Sequence, residues 1–117
     1  MRRNPAVFLS DVKDAADAIV RYVGSRDEEA YFADDMLRAA VERQFEIIGE
    51  ALNRLMRLSP DLASRIPAIG EAIAFRNMLI HGYAQIDHKT VWTTINDDLP
   101  KLRAHVTALL PDLEQPR

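Results

Sequence analysis

The strongest constraint on this chain is the spacing of its apolar residues, which recur at intervals of three and four. Leu37, Val41, Gln44, Ile48, Ala51, Leu55 and Leu58 form one heptad-like seam, widened by Ala40, Ile47 and Met56. Phe8, Val12, Ala15, Ile19 and Val23 make a second helical stripe before it. Ile69, Ile73, Ile80 and Leu79 supply the core of a third helix, and Val91, Ile95, Leu99, Leu102, Val106 and Leu109 that of a fourth. No strand-like alternation, internal repeat or low-complexity tract interrupts this pattern. Four helices with short connections predict an all-α, up-and-down four-helix bundle, with an extra short helical turn before Ile66.

Boundary residues punctuate the same reading. Asn4 followed by Pro5 is an N-cap with proline at the first helical position. Gly24 ends the first helix by tolerating a left-handed turn. Ser25 and Glu28 have capping-box spacing, and Asp34-Asp35 place negative charge near the start of the long helix. Ser59-Pro60-Asp61 breaks that helix, Pro67 opens the third and Gly82 closes it. Pro100 is expected to kink the fourth helix near Asp97, and Pro111 to stop it.

Composition narrows the class further. A length of 117 residues with 48% apolar side chains is expected to fold as one domain over 1–117. Such a chain buries roughly two thirds of its unfolded surface. Eighteen acidic against 15 basic residues leave a formal charge of −3, which argues against coating nucleic acid by bulk charge. A local cleft is a different matter, because most of the basic residues are arginine, which matches phosphate in a forked geometry. No run of 18 apolar residues exists, and the apolar stretch after Arg2-Arg3 stops at Ser10-Asp11, too early for a secretory signal. A cytoplasmic protein without membrane association is expected.

Several chemistries lack their residues. No Glu is followed by His three positions later, so the di-iron pattern of helical bundles is missing. With no Cys and only His81, His88 and His105, no metal and no cofactor is expected. The isolated glycines do not form a phosphate loop.

One segment, Phe75 through Tyr83, carries chemistry. Arg76 continues the row of Ile69, Ile73 and Ile80, where a charge is costly unless it is paired or lines a cavity or interface. Asn77 and His81 are four apart and can touch. Arg76 and His81 are five apart, about 140° around the helix, so they converge only at a cleft, within one chain or between two. Each residue also has a plainer role open to it. His81 can cap the helix C-terminus, Arg76 can pair with Glu50 or Glu46, and Tyr83 can be a half-buried packing residue.

The string Arg76-Asn-Met-Leu-Ile-His81-Gly-Tyr83 resembles the Arg-x4-His-x-Tyr motif of the HepT-like toxins, within the HEPN superfamily of all-helical ribonucleases. Ile48-Gly49-Glu50-Ala51 resembles that family's Ile-Gly-Glu-Ala segment, and Pro67, Val91-Trp92 and Asp98-Leu99-Pro100 are in keeping with it. The resemblance implies a HEPN-like bundle, a homodimer with a composite cleft and metal-independent endoribonuclease activity on RNA. It implies Arg76 and His81 as the catalytic pair, with Asn77 in a supporting place. It also implies a minimal nucleotidyltransferase antitoxin as partner, which moves AMP from ATP to the motif tyrosine, here Tyr83. The competing reading is a non-catalytic helical module that binds a nucleotide or docks a nucleotidyltransferase through the same surface. A positive groove beside Arg76 favours the nuclease; a neutral seam favours the module. Arg38, Arg43, Arg54 and Arg57 either extend an RNA track or solvate the long helix.

Overall fold

The computed structural model describes residues 4–82 and 85–114, and side chains as far as Pro111. Every regular element among them is helical, as the periodicity predicts. Helix α1 runs Pro5–Val23, with Asn4 Oδ1 accepting from the Ala6 N–H at 2.9 Å. Phe8, Leu9, Val12, Ala15, Ala16, Ile19 and Val23 bury one face of α1. Gly24 then turns the chain at φ 55°, and its N–H bonds the Val20 carbonyl. That positive φ is why glycine stands there.

The next helix start differs from the expected capping box. Helix α2 (Glu28–Ala33) is capped by Asp27, whose Oδ1 accepts from Ala30 N–H at 2.9 Å. Ser25 lies too early, because it is still in the turn in which the Arg26 N–H bonds the Val23 carbonyl, whereas Asp27 has the extended backbone of a cap. Asp34 closes α2 and caps α3 (Asp35–Leu58), accepting from Leu37 N–H at 3.0 Å. A single turn, α4 (Pro60–Ala63), follows the Ser59 break.

Helix α5 spans Ile69–His81 and starts two residues later than Pro67 suggests. Ala68 sits between them at φ 62°, a left-handed conformation that is uncommon for a residue with a Cβ. Gly82 ends α5, donating to the Met78 carbonyl at 2.7 Å. Helix α6 (His88–Thr93) passes through a π-helical turn, Thr94–Asp98, into α7 (Leu99–Glu114). A π-helical turn therefore stands where a kink near Asp97 is expected. Pro100 has no N–H for the Asn96 carbonyl, and the looser turn takes up the mismatch. Pro111 does not stop α7, which continues to Glu114. Within a helix, proline removes one hydrogen bond and need not end it.

Helix α3 packs against both α1 and α5, and α1 also packs on α7. Tyr31 plugs α2 onto α6, fully buried with its ring centroid 5.3 Å from that of Trp92. The expected core of α5 is only partly covered: Leu79 is buried, whereas Ile69, Ile73 and Ile80 remain half-buried. With α3 as its main support, α5 leaves part of its isoleucine row open. Asp17 joins α1 to α7, pairing with Lys13 at 3.0 Å and with Arg103. Hydrogen bonds from Arg103 and then Lys13 hold its carboxyl below the usual carboxylate range. No helix among the described residues is long and apolar enough to cross a membrane.

Two outcomes follow. In urea denaturation, Asp27→Ala loses about 1 kcal/mol, the worth of a cap, whereas Ser25→Ala changes stability by less than ~0.5 kcal/mol. The lowered Asp17 pKa makes its contribution present above the unfolded carboxylate value and lost as pH falls through the folded one. Asp17→Asn therefore lowers the neutral-pH melting temperature slightly and flattens the acid limb of a melting-temperature profile below about pH 4.

Candidate active site

The site begins with a missing side chain. Gly49 lies in the middle of α3, and a Cβ placed there would stand 2.1 Å from Arg76 Cβ and 2.6 Å from its Cγ. Only glycine lets α5 cross α3 this closely, with the Arg76 stem lying in the gap. One residue further on, Glu50 meets the head of that arginine. Arg76 Nη2 donates to Glu50 Oε2 at 2.7 Å, and Nη1 donates to Asn77 Oδ1 at 2.9 Å. Arg54 Nε donates to the other carboxylate oxygen, Oε1, at 2.9 Å. Arg76 is thus paired, which resolves the charge on the isoleucine row. Its Nε is buried without a partner.

Glu50, Arg54 and Arg76 line an open cleft of about 240 Å³ formed by α1, α3 and α5. Phe8, Ile47, Ala51 and Ile80 form its apolar part. The charged lining is balanced, with Arg43, Arg54 and Arg76 facing Asp11, Glu46 and Glu50. Arg43 reaches Glu46 at 3.4 Å. Arg43 and Arg54 therefore belong to the same cleft as Arg76, while Arg38 binds the Phe32 carbonyl elsewhere.

The other motif residues are placed less closely. His81 is the last residue of α5 and is exposed. It stands apart from the Arg76 cleft, whose lining on α5 ends at Ile80. Asn77 gives its carbonyl to Arg76, and no hydrogen bond joins it to His81. Tyr83 lies outside the described residues. On either side of it, the Gln85 N–H donates to the Gly82 carbonyl at 2.7 Å.

A second ionisable group sits where α6 meets α3. His88 Nδ1 is 4.0 Å from Glu42 Oε2. Burial raises the Glu42 pKa above its ordinary value, against the opposing charge of His88. Burial likewise pushes the Tyr31 phenol up, with Glu42 adding to the effect. Together with Lys89–Glu28 at 2.6 Å, these contacts fasten α6 to α2 and α3. Among the described residues, no three metal-ligating side chains are gathered together.

The model of the HepT-like family, described as ribonuclease HepT-like, matches residues 12–109. The chain belongs to this family. The match runs from within α1 to near the end of α7 and contains Gly49, Glu50, Arg76 and His81. Among HepT-like relatives, the "Probable ribonuclease HepT" of Thermococcus cleftensis is 32% identical over 107 residues, covering 88% of this chain and 93% of its own. A "Putative RNase" of Methanocaldococcus jannaschii is 31% identical over 107 residues, covering 90% and 95%. Another from that organism is 29% identical over 116 residues, covering 97% of each chain. No solved structure matches.

Gly49 was readable as a family-like position, but its reason was not. A lone glycine inside a helix costs about 1 kcal/mol relative to alanine, which signals a close approach without naming the neighbour. The added methyl in Gly49→Ala displaces Arg76 and destabilises the fold by about 1–3 kcal/mol despite the helix-propensity gain. Gly70→Ala, at a position with nothing within 4 Å, moves the other way by about 0.5–1 kcal/mol. Paired thermal melts of the two variants check the opposite signs.

Proposed function

We propose that this HepT-like protein is an endoribonuclease that needs no metal, works as a homodimer and serves as the toxin of a toxin–antitoxin pair. The observation that carries the reading is Arg76. It is a guanidinium fixed at the edge of an open cleft, on a helix whose neighbouring Ile73 and Ile80 are incompletely covered. A second copy laid against that row covers the isoleucines and brings its own His81 toward the cleft, which the 140° offset within one helix disfavours.

The chemistry follows from the residue types. The 2′-hydroxyl of RNA attacks the adjacent phosphorus, forming a 2′,3′-cyclic phosphate and releasing the 5′-oxygen of the next nucleotide. The His81 imidazole, which can both accept and donate a proton, takes the 2′-hydroxyl proton or supplies one to the leaving oxygen. Arg76 binds the phosphate and stabilises charge growing on its oxygens. Asn77 supports Arg76, to which it is hydrogen-bonded, more directly than it supports His81.

The partner in this reading is a minimal nucleotidyltransferase antitoxin. It transfers AMP from ATP to the Tyr83 hydroxyl and releases pyrophosphate. The added phosphodiester, next to the end of α5, keeps the RNA backbone out by bulk and like charge. The second reading, a non-catalytic module that docks the nucleotidyltransferase, draws support from the charge balance of the cleft. A groove with equal acids and bases does not by itself attract a polyanion.

Purified protein, expressed with and without its nucleotidyltransferase, separates the two. The proposal expects RNA cutting in EDTA, an AMP-sized mass gain on Tyr83 and loss of cutting after that gain. Arg76→Ala and His81→Ala, still helical and dimeric, cut at least 100-fold more slowly. Equal cutting by these variants removes the assigned roles. No cutting and no mass gain by folded wild type favours the module.

A further inference from the structure

We infer that Arg54 and Arg76 form a two-arginine clamp for one phosphate of a nucleic-acid backbone, and that Glu50 is the chain's own competitor for that place. This rests on the ribonuclease reading and extends it by naming a second phosphate-binding side chain and the group that must move aside. The two oxygens of Glu50 go to different guanidinium groups: Oε2 to Arg76 Nη2 at 2.7 Å and Oε1 to Arg54 Nε at 2.9 Å. A carboxylate held in this way fills the position that two non-bridging phosphate oxygens take between a pair of arginines.

Three features make exchange of Glu50 for phosphate reasonable. The cleft at this point is open, so a phosphodiester has access. The Arg76 side chain is 24% exposed and its stem is trapped over Gly49, whereas the Glu50 side chain is 38% exposed. The carboxylate is therefore the member of the pair that can swing out. Finally, the buried Arg76 Nε has no partner, leaving the guanidinium a donor that the resting arrangement does not use. A single small anion gains little by displacing Glu50. A backbone that touches the protein at several phosphates gains enough, so the resting ion pair favours polyanions over free phosphate.

The test is fluorescence anisotropy with a labelled single-stranded 2′-deoxy oligonucleotide, which lacks the attacking hydroxyl. It is titrated into full-length wild type, Glu50→Gln and Arg54→Gln at several salt concentrations. Expected are at least fivefold tighter binding by Glu50→Gln and at least fivefold weaker binding by Arg54→Gln. The log–log salt slope of Arg54→Gln is shallower by about 0.7, one phosphate contact on a single strand. Glu50→Gln binding no tighter than wild type overturns the competitor, and an unchanged slope in Arg54→Gln overturns the clamp. Circular dichroism checks folding; if Glu50→Gln does not fold, the exposed Arg54 variant decides alone. Wild type that cuts RNA while the variants bind as it does defeats only this inference. Wild type that neither binds the oligonucleotide nor cuts RNA defeats the ribonuclease reading.

Discussion

The crossing of α5 over Gly49 is the contact on which the candidate site depends. A side chain at that position would push Arg76 outward, and with it the only helix that carries the Arg-x4-His pattern. Because the glycine and the glutamate are consecutive, α3 supplies both the seat for the Arg76 stem and the acceptor for its head. The two effects reinforce each other. Confining the stem reduces the entropy lost when the guanidinium is aimed, and the Glu50 contact compensates a charge placed on an apolar row. Helix α3 tolerates the glycine because it is long, well capped by Asp34 and buried along Leu37, Val41, Ile48, Leu52 and Leu55.

Most of the fold was legible because helices are local and their signals repeat. The stripes of α1 and α3, the Asn4 cap, the acidic start of α3 and the Gly24 turn all needed only neighbouring residues. The failures share a cause: each depended on where the chain had already been led. Ser25 has cap chemistry, but it falls within the turn begun at Gly24, and Asp27 becomes the cap. Pro67 has helix-start chemistry, but Ala68 must first reverse the backbone at φ 62°. Pro111 has helix-breaking chemistry, but α7 continues through it to Glu114.

The site was legible as residue types and less so as contacts. Arg76 on an isoleucine row announced a paired charge or a cleft, and the structure has both. Glu50 was one of two partners open to it, and only the α3–α5 register chooses Glu50 over Glu46, which goes to Arg43. A spacing of four left Asn77 able to touch His81. The neighbouring arginine takes its carbonyl, in a charge-assisted hydrogen bond that is stronger than one between neutral groups. Arg54 carried no signal beyond its charge, because an exposed arginine on a helix is ordinary until a shared carboxylate ties it to another.

Charge and packing at α5 point to how such a site selects its ligand. The chain as a whole is acidic and the cleft is balanced, so long-range attraction contributes little to bringing a polyanion there. In the proposed reading, selectivity comes from short-range exchange of partners at Arg76. Exchange is favoured where the helix is lightly held, since local opening costs less than global unfolding. Helix α5 meets that condition, with Leu79 buried and its isoleucines half-covered, while the Arg76 stem stays anchored by the crossing. A cover over the isoleucine row removes apolar surface from water and stiffens the helix at the same time. In the proposed dimer, assembly and pre-organisation of the site are coupled through one face of one helix.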